Sequence, residues 1–357
     1  MLRKEDFEPN MKTEDKIPGA QTENPAQSQR FGDFIVKYMQ NVQDTMELFP
    51  GASFRAINEI FGVLYVPLES MGEIEVTGTS YNSIPKCYTY MDMEAAGESG
   101  INRLHDHPYL KLRGKGTAVA VIDSGIDYQN EVFRNAGGSR IAYLWDQSLE
   151  EESDMGAAKV PYGRLFRKRD IDLALDSENP FSIVPSRDTN GHGTALAGIA
   201  AGNMVQGENF TGAAPEATLI IIKVKPAKQY LRDFYLISND ADAYQENDIM
   251  MGIKYLRVEA YSQRKPLVIL LGIGSNLGSH EGTSPLNVMI QDISRYLGMA
   301  TVIAAGNETG RGHHYMGSVP IGEESVEVEI RVGNAESQRG FVVELWADTA
   351  DTYSVGF

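Results

Sequence analysis

The feature of the sequence that most constrains its fold is a set of four continuous aliphatic runs separated by helical segments. The runs lie in GTAVAVIDSGID, ATLIIIKVK, PLVILLGIGS and ATVIAAGNE, and helical patterns lie between them in DIMMGIKYLRVEAYSQR and SPLNVMIQDISRYLGM. Fully apolar strands that alternate with helices are typical of a parallel sheet covered on both faces. The sequence therefore predicts an α/β fold whose functional groups lie beyond the carboxyl ends of the strands.

The chain divides into four segments by pattern. Residues 1–30 are mainly polar and charged, which predicts a flexible leader. Residues 31–90 contain strand patterns in FIVKYM, SFRAINEIFGVLYVPL and IPKCYTYMD, which predict a small α+β module. Residues 91–315 contain the predicted parallel sheet. In residues 316–357, EESVEVEIRV and GFVVELWA alternate with period two, which predicts an antiparallel hairpin that begins a further β domain.

Charge and composition exclude several kinds of partner. The chain has 32 Lys and Arg against 49 Asp and Glu, a formal net charge of -17, so we expect no binding to nucleic acid or to an anionic membrane through net charge. The charged N-terminus lacks the apolar core of a signal peptide, and the aliphatic runs are too short to cross a bilayer. A single cysteine, Cys87, allows no internal disulfide. These features predict a soluble protein made in the cytoplasm.

Three polar residues follow or precede the predicted buried elements. Asp123 ends the strand AVAVI, His192 opens the small-residue helix of NGHGTALAGIAAG, and Asn307 follows the strand of ATVIAAG. A strand-end Asp alone also suits an α/β phosphohydrolase with Mg²⁺, but that alternative leaves the His and Asn motifs unexplained. The helix N-terminus disfavours the imidazolium form of His192, so a base there needs a carboxylate partner. The Asn amide is suited to donate to a developing oxyanion.

In this order of motifs the chain resembles the subtilisin family of serine proteases. The resemblance covers residues 91–315 as the protease body and residues 31–90 as an inhibitory propeptide, whose last strand occupies the substrate cleft. It implies that Asp123 orients the imidazole, that His192 is the general base and then acid, and that Asn307 stabilises the oxyanion. It also implies that the substrate-binding residues are Gly272, Ile273, Gly274 and Ser275, which pair with an extended peptide through the main chain. The implied partners are a protein or peptide substrate and the chain's own propeptide.

The family's nucleophile is a Ser in a Gly-Thr-Ser-Met-Ala-x-Pro motif that lies well after the Asn, and the sequence contains no match to it. Ser284 in GTSPLN and Ser80 in GTSYNS precede Asn307 and lack the Met-Ala that should follow, so neither is expected to be the nucleophile. The Ser is expected in sequence beyond Phe357, and these 357 residues alone are expected to be essentially inactive.

PYLKLRGKGTAVAVIDSGIDY and GSNLGSHEGTSPL are similar to the Csp-type subtilases of spore-forming anaerobes. That group activates a spore-cortex hydrolase by limited proteolysis and carries a jelly-roll insertion before the Ser, so the resemblance implies a spore-associated protease. Because some members are inactive, a pseudoprotease that binds a partner is the alternative.

Other polar residues give weaker signals. The imidazoles and carboxylate of HDH, residues 105–107, lack a third well-spaced ligand, so no metal or other cofactor is expected. Asp127, Asp188 and Glu308 flank the motifs, where capping and turn contacts explain them as well as Ca²⁺ binding does.

Overall fold

The computed structural model describes residues 23–37, 46, 49–71, 81–90, 101–105, 107, 109, 111–150, 160–204, 210–320, 322–332, 340–347 and 352–356. Its strands are β1 (Phe31–Lys37), β2 (Ser53–Ala56), β3 (Phe61–Pro67), β4 (Cys87–Tyr90), β5 (Ala118–Asp123), β6 (Arg134–Asn135), β7 (Gly138–Ser139), β8 (Ile141–Asp146), β9 (Arg164–Arg167), β10 (Thr218–Lys223), β11 (Tyr244–Gln245), β12 (Leu267–Leu271), β13 (Ile273–Gly274) and β14 (Met299–Ile303). Its helices are α1 (Ile101–His105), α2 (Lys168–Leu175), α3 (His192–Ala201), α4 (Gln229–Phe234), α5 (Glu246–Gln263) and α6 (Pro285–Ile293).

A six-stranded sheet in the order β14-β12-β5-β10-β8-β9 forms the centre of the molecule. All neighbours pair in parallel except β9, which runs antiparallel to β8 at one edge. The predicted α/β class is confirmed, and the antiparallel edge strand is an addition to it. β5 lies between β12 and β10, so its carboxyl end is near the middle of the sheet edge.

Both faces of this sheet are covered, as the aliphatic runs predict. In β5, Ala118, Ala120 and Ile122 belong to one apolar core, and Val119 and Val121 belong to the core on the opposite face. Helices α5 and α6 pack in the first core, and helices α2 and α3 pack in the second. Successive side chains of a strand point to opposite faces, so a strand buried on both sides has to be apolar throughout.

The N-terminal module contains a second sheet in the order β1-β3-β2, in which both pairs are antiparallel. Its strands lie where the sequence patterns predict them. Phe31, Ile35, Val63 and Tyr65 from this sheet belong to the same apolar core as α5. A module this small buries little surface by itself, so sharing a core with the larger sheet stabilises both.

The prediction of a flexible leader is wrong for residues 23–30, and residues 1–22 lie outside the described part. Ala26 is fully buried in the apolar core, and the Asn24 side-chain amide donates to the Pro161 carbonyl at 3.1 Å. The polar composition of this segment is explained by such contacts with backbone groups of the body, which composition alone does not reveal.

A short third sheet brings the module to the carboxyl edge of the central sheet. β4 lies between β11 and β13 and runs antiparallel to both. On the β13 side, Ile273 pairs with Tyr90 and Gly274 with Thr89. Since β13 follows β12 after one residue, β4 lies beside the end of the central sheet.

The hairpin predicted within residues 316–357 is absent from the described residues. Residues 322–332 and 340–347 have no regular secondary structure, and Val326 and Ile330 are 39% and 47% exposed. The alternating pattern needs a partner layer on which to bury its apolar face, and two strands without one do not make a stable unit. The division of the chain into domains stays a prediction.

Candidate active site

Asp123 is the last residue of β5, at the carboxyl edge of the central sheet. Its side chain is buried, and its Oδ1 accepts a hydrogen bond from the Ser124 backbone N–H at 2.7 Å. The central, buried position of β5 fixes the backbone on which this carboxylate stands. A carboxylate held in this way has its direction set before any ligand binds.

His192 is the first residue of α3 and faces that carboxylate. Its Nδ1 lies 2.8 Å from Asp123 Oδ1, with the His side chain 15% exposed and the Asp side chain 0% exposed. Gly191 before it has φ of 85°, the left-handed conformation that glycine adopts without strain and that starts the helix here. A neutral imidazole that donates from Nδ1 to a carboxylate has its lone pair on Nε2, the tautomer that a general base requires.

Asp188 caps the beginning of α3, which supports the capping interpretation of this residue. Its two oxygens accept hydrogen bonds from the backbone N–H groups of Gly191 at 3.0 Å and Thr194 at 2.9 Å. Burial raises the pKa of this carboxyl, but hydrogen bonds from Thr194, Ser124 and Gly191 outweigh burial, and the pKa is lowered overall. Asp188 is therefore a carboxylate at neutral pH.

Gly272 packs directly behind the Asp123 carboxylate. A Cβ on Gly272 would lie 2.0 Å from Leu196 Cδ1 and 2.6 Å from Asp123 Oδ2, closer than any side chain tolerates. The close approach of the strand to the helix therefore requires glycine here. Sequence reasoning assigned Gly272 to substrate binding and missed this packing role.

We expect Gly272→Ala to lower the free energy of unfolding by about 1–3 kcal/mol, because the added methyl has to displace Leu196 or the Asp123 carboxylate. Gly198→Ala is the matched control within α3, since its Cβ would meet only Phe210 Cζ at 3.8 Å. Ala in place of Gly in a helix interior should stabilise by roughly 0.5–1 kcal/mol. Urea unfolding of both variants measures the difference, and equal effects would contradict the packing role of Gly272.

The other residues assigned to substrate binding follow Gly272 at the end of β12. Ile273 and Gly274 form β13, which already pairs with β4, and the Ile273 side chain is buried in the apolar core. Ser275 Oγ accepts a hydrogen bond from the Leu277 N–H at 3.1 Å. Their assignment as substrate-binding residues stays a prediction.

Asn307 follows β14 in an exposed loop. β14 pairs in parallel with β12, with Ile303 opposite Leu271, so this loop leaves the same edge of the sheet as β13 and Asp123. The structure therefore places Asn307 at the carboxyl edge, as the sequence predicts. A hydrogen bond joins Asp123 and His192 at this edge.

Ser284, one of the two serines rejected as nucleophiles, has a structural role of its own. Ser284 is the N-cap of α6, where its Oγ accepts a hydrogen bond from the Asn287 N–H at 3.3 Å, and it is 6% exposed. Ser80 lies outside the described residues. A side chain that caps a helix in the interior is unsuited to attack a bound peptide.

The described ranges contain neither a cluster suited to a metal ion nor a helix suited to a membrane. Within the described ranges no group of three or more His, Cys, Asp or Glu side chains is arranged to hold a metal ion. His105 has its Nε2 at 2.8 Å from the Ala213 carbonyl oxygen instead. Over the same ranges no helix has both the length and the apolar character needed to span a bilayer.

The Asp and His motifs and the sheet that carries them match a known protein family. The model of peptidase S8, the subtilase family, matches residues 114–338, which is more than half of the 357 residues. The chain belongs to the subtilase family. The resemblance identified from the sequence is thereby confirmed, and the α/β fold is that of a subtilase.

Relatives of this subtilase include two curated proteinases and one solved structure. C5a peptidase of Streptococcus pyogenes serotype M3 is 26% identical over 242 residues, covering 62% of this chain and 18% of that protein. PI-type proteinase of Lactococcus lactis subsp. cremoris is 24% identical over 247 residues, covering 67% of this chain and 12% of that protein. The CspB protease of Clostridium perfringens is 32% identical with a TM-score of 0.49, covering 60% of this chain and 40% of that chain. The chain thus spans less than a fifth of the length of these two curated relatives.

Proposed function

We propose that this subtilase is a serine endopeptidase in which His192 is the general base and then acid and Asp123 orients its imidazole. The observation that carries the proposal is the 2.8 Å contact of His192 Nδ1 with the buried Asp123 carboxylate, next to a cleft strand that pairs with an extended segment. Membership of the subtilase family supports a peptidase. The family's chemistry also needs a nucleophilic serine and an oxyanion donor.

The proposed roles follow from the geometry of the pair. His192 Nε2 takes the proton of the serine hydroxyl as its oxygen attacks the scissile carbonyl, and then gives that proton to the leaving amine. Asp123 holds the ring and stabilises the imidazolium that forms in between. The Asn307 amide donates to the oxyanion of the tetrahedral intermediate. A water molecule then repeats the attack on the acyl-enzyme and releases the serine.

The nucleophile in this proposal is a serine outside these 357 residues. Subtilase order puts it after the Asn, and the serines that follow Asn307 stand in GSVP, ESVE, ESQR and YSVG, none of which matches Gly-Thr-Ser-Met-Ala-x-Pro. On this proposal the 357 residues bind and orient a peptide but hydrolyse it only slowly, because covalent catalysis has no nucleophile.

We further propose that residues 31–90 are an inhibitory propeptide. β4 lies between β11 and β13 with antiparallel main-chain pairing on both sides, which is how an added strand binds to a sheet edge. Lys86 immediately before it is 1% exposed, and its ammonium donates to the Ile84 carbonyl at 2.7 Å. A segment anchored in this way would compete with a substrate for β13, so its removal would activate the protease.

The proposed biological role is limited proteolysis of a protein substrate, such as the precursor of a spore-cortex hydrolase, in a spore-forming cell. It rests on the resemblance of residues 108–128 and 274–286 to Csp-type subtilases. The net charge of -17 favours a protein or peptide as the partner over nucleic acid. We also propose that the protein is made in the cytoplasm and that its reaction uses no cofactor.

The test is active-site labelling of the gene product, after proteolytic removal of residues 31–90, with a biotinylated fluorophosphonate, followed by mass spectrometry of the labelled peptide. We expect one serine to be labelled in the native protein and no serine after thermal unfolding, because only the folded site activates a hydroxyl. Stoichiometric labelling identifies the nucleophile directly. A folded gene product that is not labelled would contradict the protease and favour the pseudoprotease that binds a partner through the cleft of β13.

A further inference from the structure

We propose that Asp188 is a positioning residue for the catalytic base, because it joins the strand end that carries Asp123 to the helix start that carries His192. This inference rests on the proposed function, in which His192 is the base. The connection runs through the Ser124 hydroxyl on the strand side and through Thr194 on the helix side. Asp188 touches neither the imidazole nor a substrate, so any effect on catalysis passes through these residues.

Both carboxylate oxygens of Asp188 are used in this connection. Oδ1 accepts hydrogen bonds from the Ser124 hydroxyl at 2.8 Å and from the Gly191 N–H at 3.0 Å. Oδ2 accepts from the N–H of Thr194 at 2.9 Å and from its hydroxyl at 2.6 Å. One side chain thus fixes the residue after Asp123 and residues on both sides of His192. Hydrogen bonds to a charged acceptor are shorter and stronger than those between neutral groups.

Ser124 is the shared member of this arrangement. Its hydroxyl donates to Asp188 and accepts from the Gly193 N–H at 2.9 Å, and its backbone N–H donates to Asp123 Oδ1 at 2.7 Å. The oxygen that receives this N–H is the one that lies 2.8 Å from His192 Nδ1. A shift of Ser124 therefore alters the direction of the Asp123 carboxylate and hence the orientation of the imidazole.

The charge of Asp188 also bears on the protonated form of His192. The partial positive charge of a helix N-terminus disfavours an imidazolium there, and a carboxylate at the same helix end opposes this effect. Burial raises the pKa of Asp188, but its hydrogen bonds from Thr194, Ser124 and Gly191 lower the pKa further than burial raises it, so the charge persists at neutral pH. Asp123 and Asp188 together then favour the imidazolium that forms when the base accepts a proton.

Other charged groups near this helix start are more exposed or are paired elsewhere. Asp127, Arg187 and Asp242 are exposed, so solvent screens them. The Lys223 ammonium lies 3.6 Å from the Asp146 carboxylate and donates to the Arg187 carbonyl. Replacement of Asp188 is therefore expected to change the pKa of His192 without a compensating change in these groups.

The experiment is an NMR pH titration of the imidazoles in the 357-residue chain labelled with ¹⁵N-histidine. The chain has six histidines, and loss of one signal in His192→Ala assigns the base. In Asp188→Asn we expect the pKa of His192 to fall by roughly 0.5–1 unit and its Nδ1–H signal to broaden through faster exchange. In Ser124→Ala the charge of Asp188 remains, so we expect the broadening with a smaller fall in pKa.

Asp172→Asn is the matched control for loss of a hydrogen-bonded carboxylate elsewhere. Asp172 accepts a hydrogen bond from the Ser139 N–H at 2.7 Å and pairs with Lys168. We expect this variant to lower the melting temperature but to leave the His192 titration unchanged. If the role of Asp188 were only structural, Asp188→Asn would likewise lower the melting temperature and leave the His192 titration unchanged.

Two results would overturn the inference. The first is a folded Asp188→Asn chain in which the pKa of His192 stays within about 0.2 units of the wild-type value and the Nδ1–H signal persists. If that variant does not fold, Ser124→Ala decides, and an unchanged Nδ1–H signal in it would overturn the inference. The titration needs no nucleophile, so absence of fluorophosphonate labelling would count against the protease while leaving this inference standing.

Discussion

Replacing Asp33 by alanine is expected to lower the free energy of unfolding by about 3–5 kcal/mol, because it leaves the buried Lys228 ammonium without its counter-charge. Lys228 Nζ and Asp33 Oδ1 form an ion pair whose side chains are 1% and 0% exposed. The second oxygen of Asp33 accepts hydrogen bonds from the side-chain amides of Gln245 and Asn247, each at 3.0 Å. The variant would lose the charge partner of Lys228 and also an acceptor of the Gln245 and Asn247 amides.

The surroundings of Lys228 explain why the loss should be large. Its ammonium also donates to the backbone carbonyls of Pro25 at 2.8 Å and Phe31 at 3.2 Å. Burial lowers the pKa of Lys228, and Asp33 opposes this by favouring the charged form. Without Asp33 the lysine has either to lose its proton or to remain a buried cation, and both alternatives are unfavourable.

Urea unfolding of Asp33→Ala, the double variant Asp33→Leu with Lys228→Met, and Glu329→Ala tests this expectation. The double variant should recover part of the stability, because it leaves no uncompensated charge in the interior. The hydrogen bonds to Gln245, Asn247, Pro25 and Phe31 stay lost in it. Glu329 is the exposed control, since its pair with Arg331 has side chains that are 83% and 72% exposed, and its loss should change stability by less than about 1 kcal/mol. A loss below about 1 kcal/mol in Asp33→Ala would contradict the importance of the buried pair.

This pair ties the N-terminal module to the body beside β11, because Asp33 also accepts a hydrogen bond from Gln245 of that strand. Asp33 lies in β1, and Lys228 immediately precedes α4. The module is therefore held at two places, by the buried pair and by the pairing of β4 with β11 and β13. Separation of β4 from β11 and β13 alone would leave the Asp33–Lys228 ion pair in place.

The central sheet and the Asp123–His192 pair could be predicted because their signals are local. A strand buried on both faces has to be apolar throughout, and the residue after it has to emerge at the carboxyl edge. The glycines around His192 mark a turn that opens a helix, so His192 has a fixed place on a rigid element. Chain order then identifies the family without knowledge of any contact.

The remaining contacts join residues that are far apart in sequence, and no local sequence pattern predicts them. Lys228 and Asp33 are separated by 195 positions. The sequence on either side of each residue predicts an exposed side chain. β11 has two residues, too few for a strand pattern. Ala26 lies in a polar segment and is nevertheless fully buried. In each case tertiary contacts decide the outcome, as they do for the hairpin expected in residues 316–357.

His192→Ala is expected to lower kcat for peptide-bond cleavage by the complete gene product on the order of 10⁶-fold, the size of loss that follows removal of the base from a Ser-His-Asp protease. Asp123→Asn should lower kcat by about 10⁴-fold, since an amide cannot hold the imidazole in the tautomer that Nδ1 donation requires. These two losses should not add in the double variant, because the two residues act as one unit through the 2.8 Å contact.

The matched control for these variants is His105→Ala. It removes a histidine that is hydrogen-bonded to the Ala213 carbonyl and does not belong to the Asp123–His192 pair. Its kcat should stay within about 3-fold of the wild-type value, because the residue orients no reacting group. Cleavage of a peptide substrate at saturating concentration, with the fold of each variant checked by circular dichroism, measures kcat directly. If folded His192→Ala retained more than about 1% of the wild-type kcat, the imidazole would not be the base, since proton transfer alone contributes 10²–10⁴-fold.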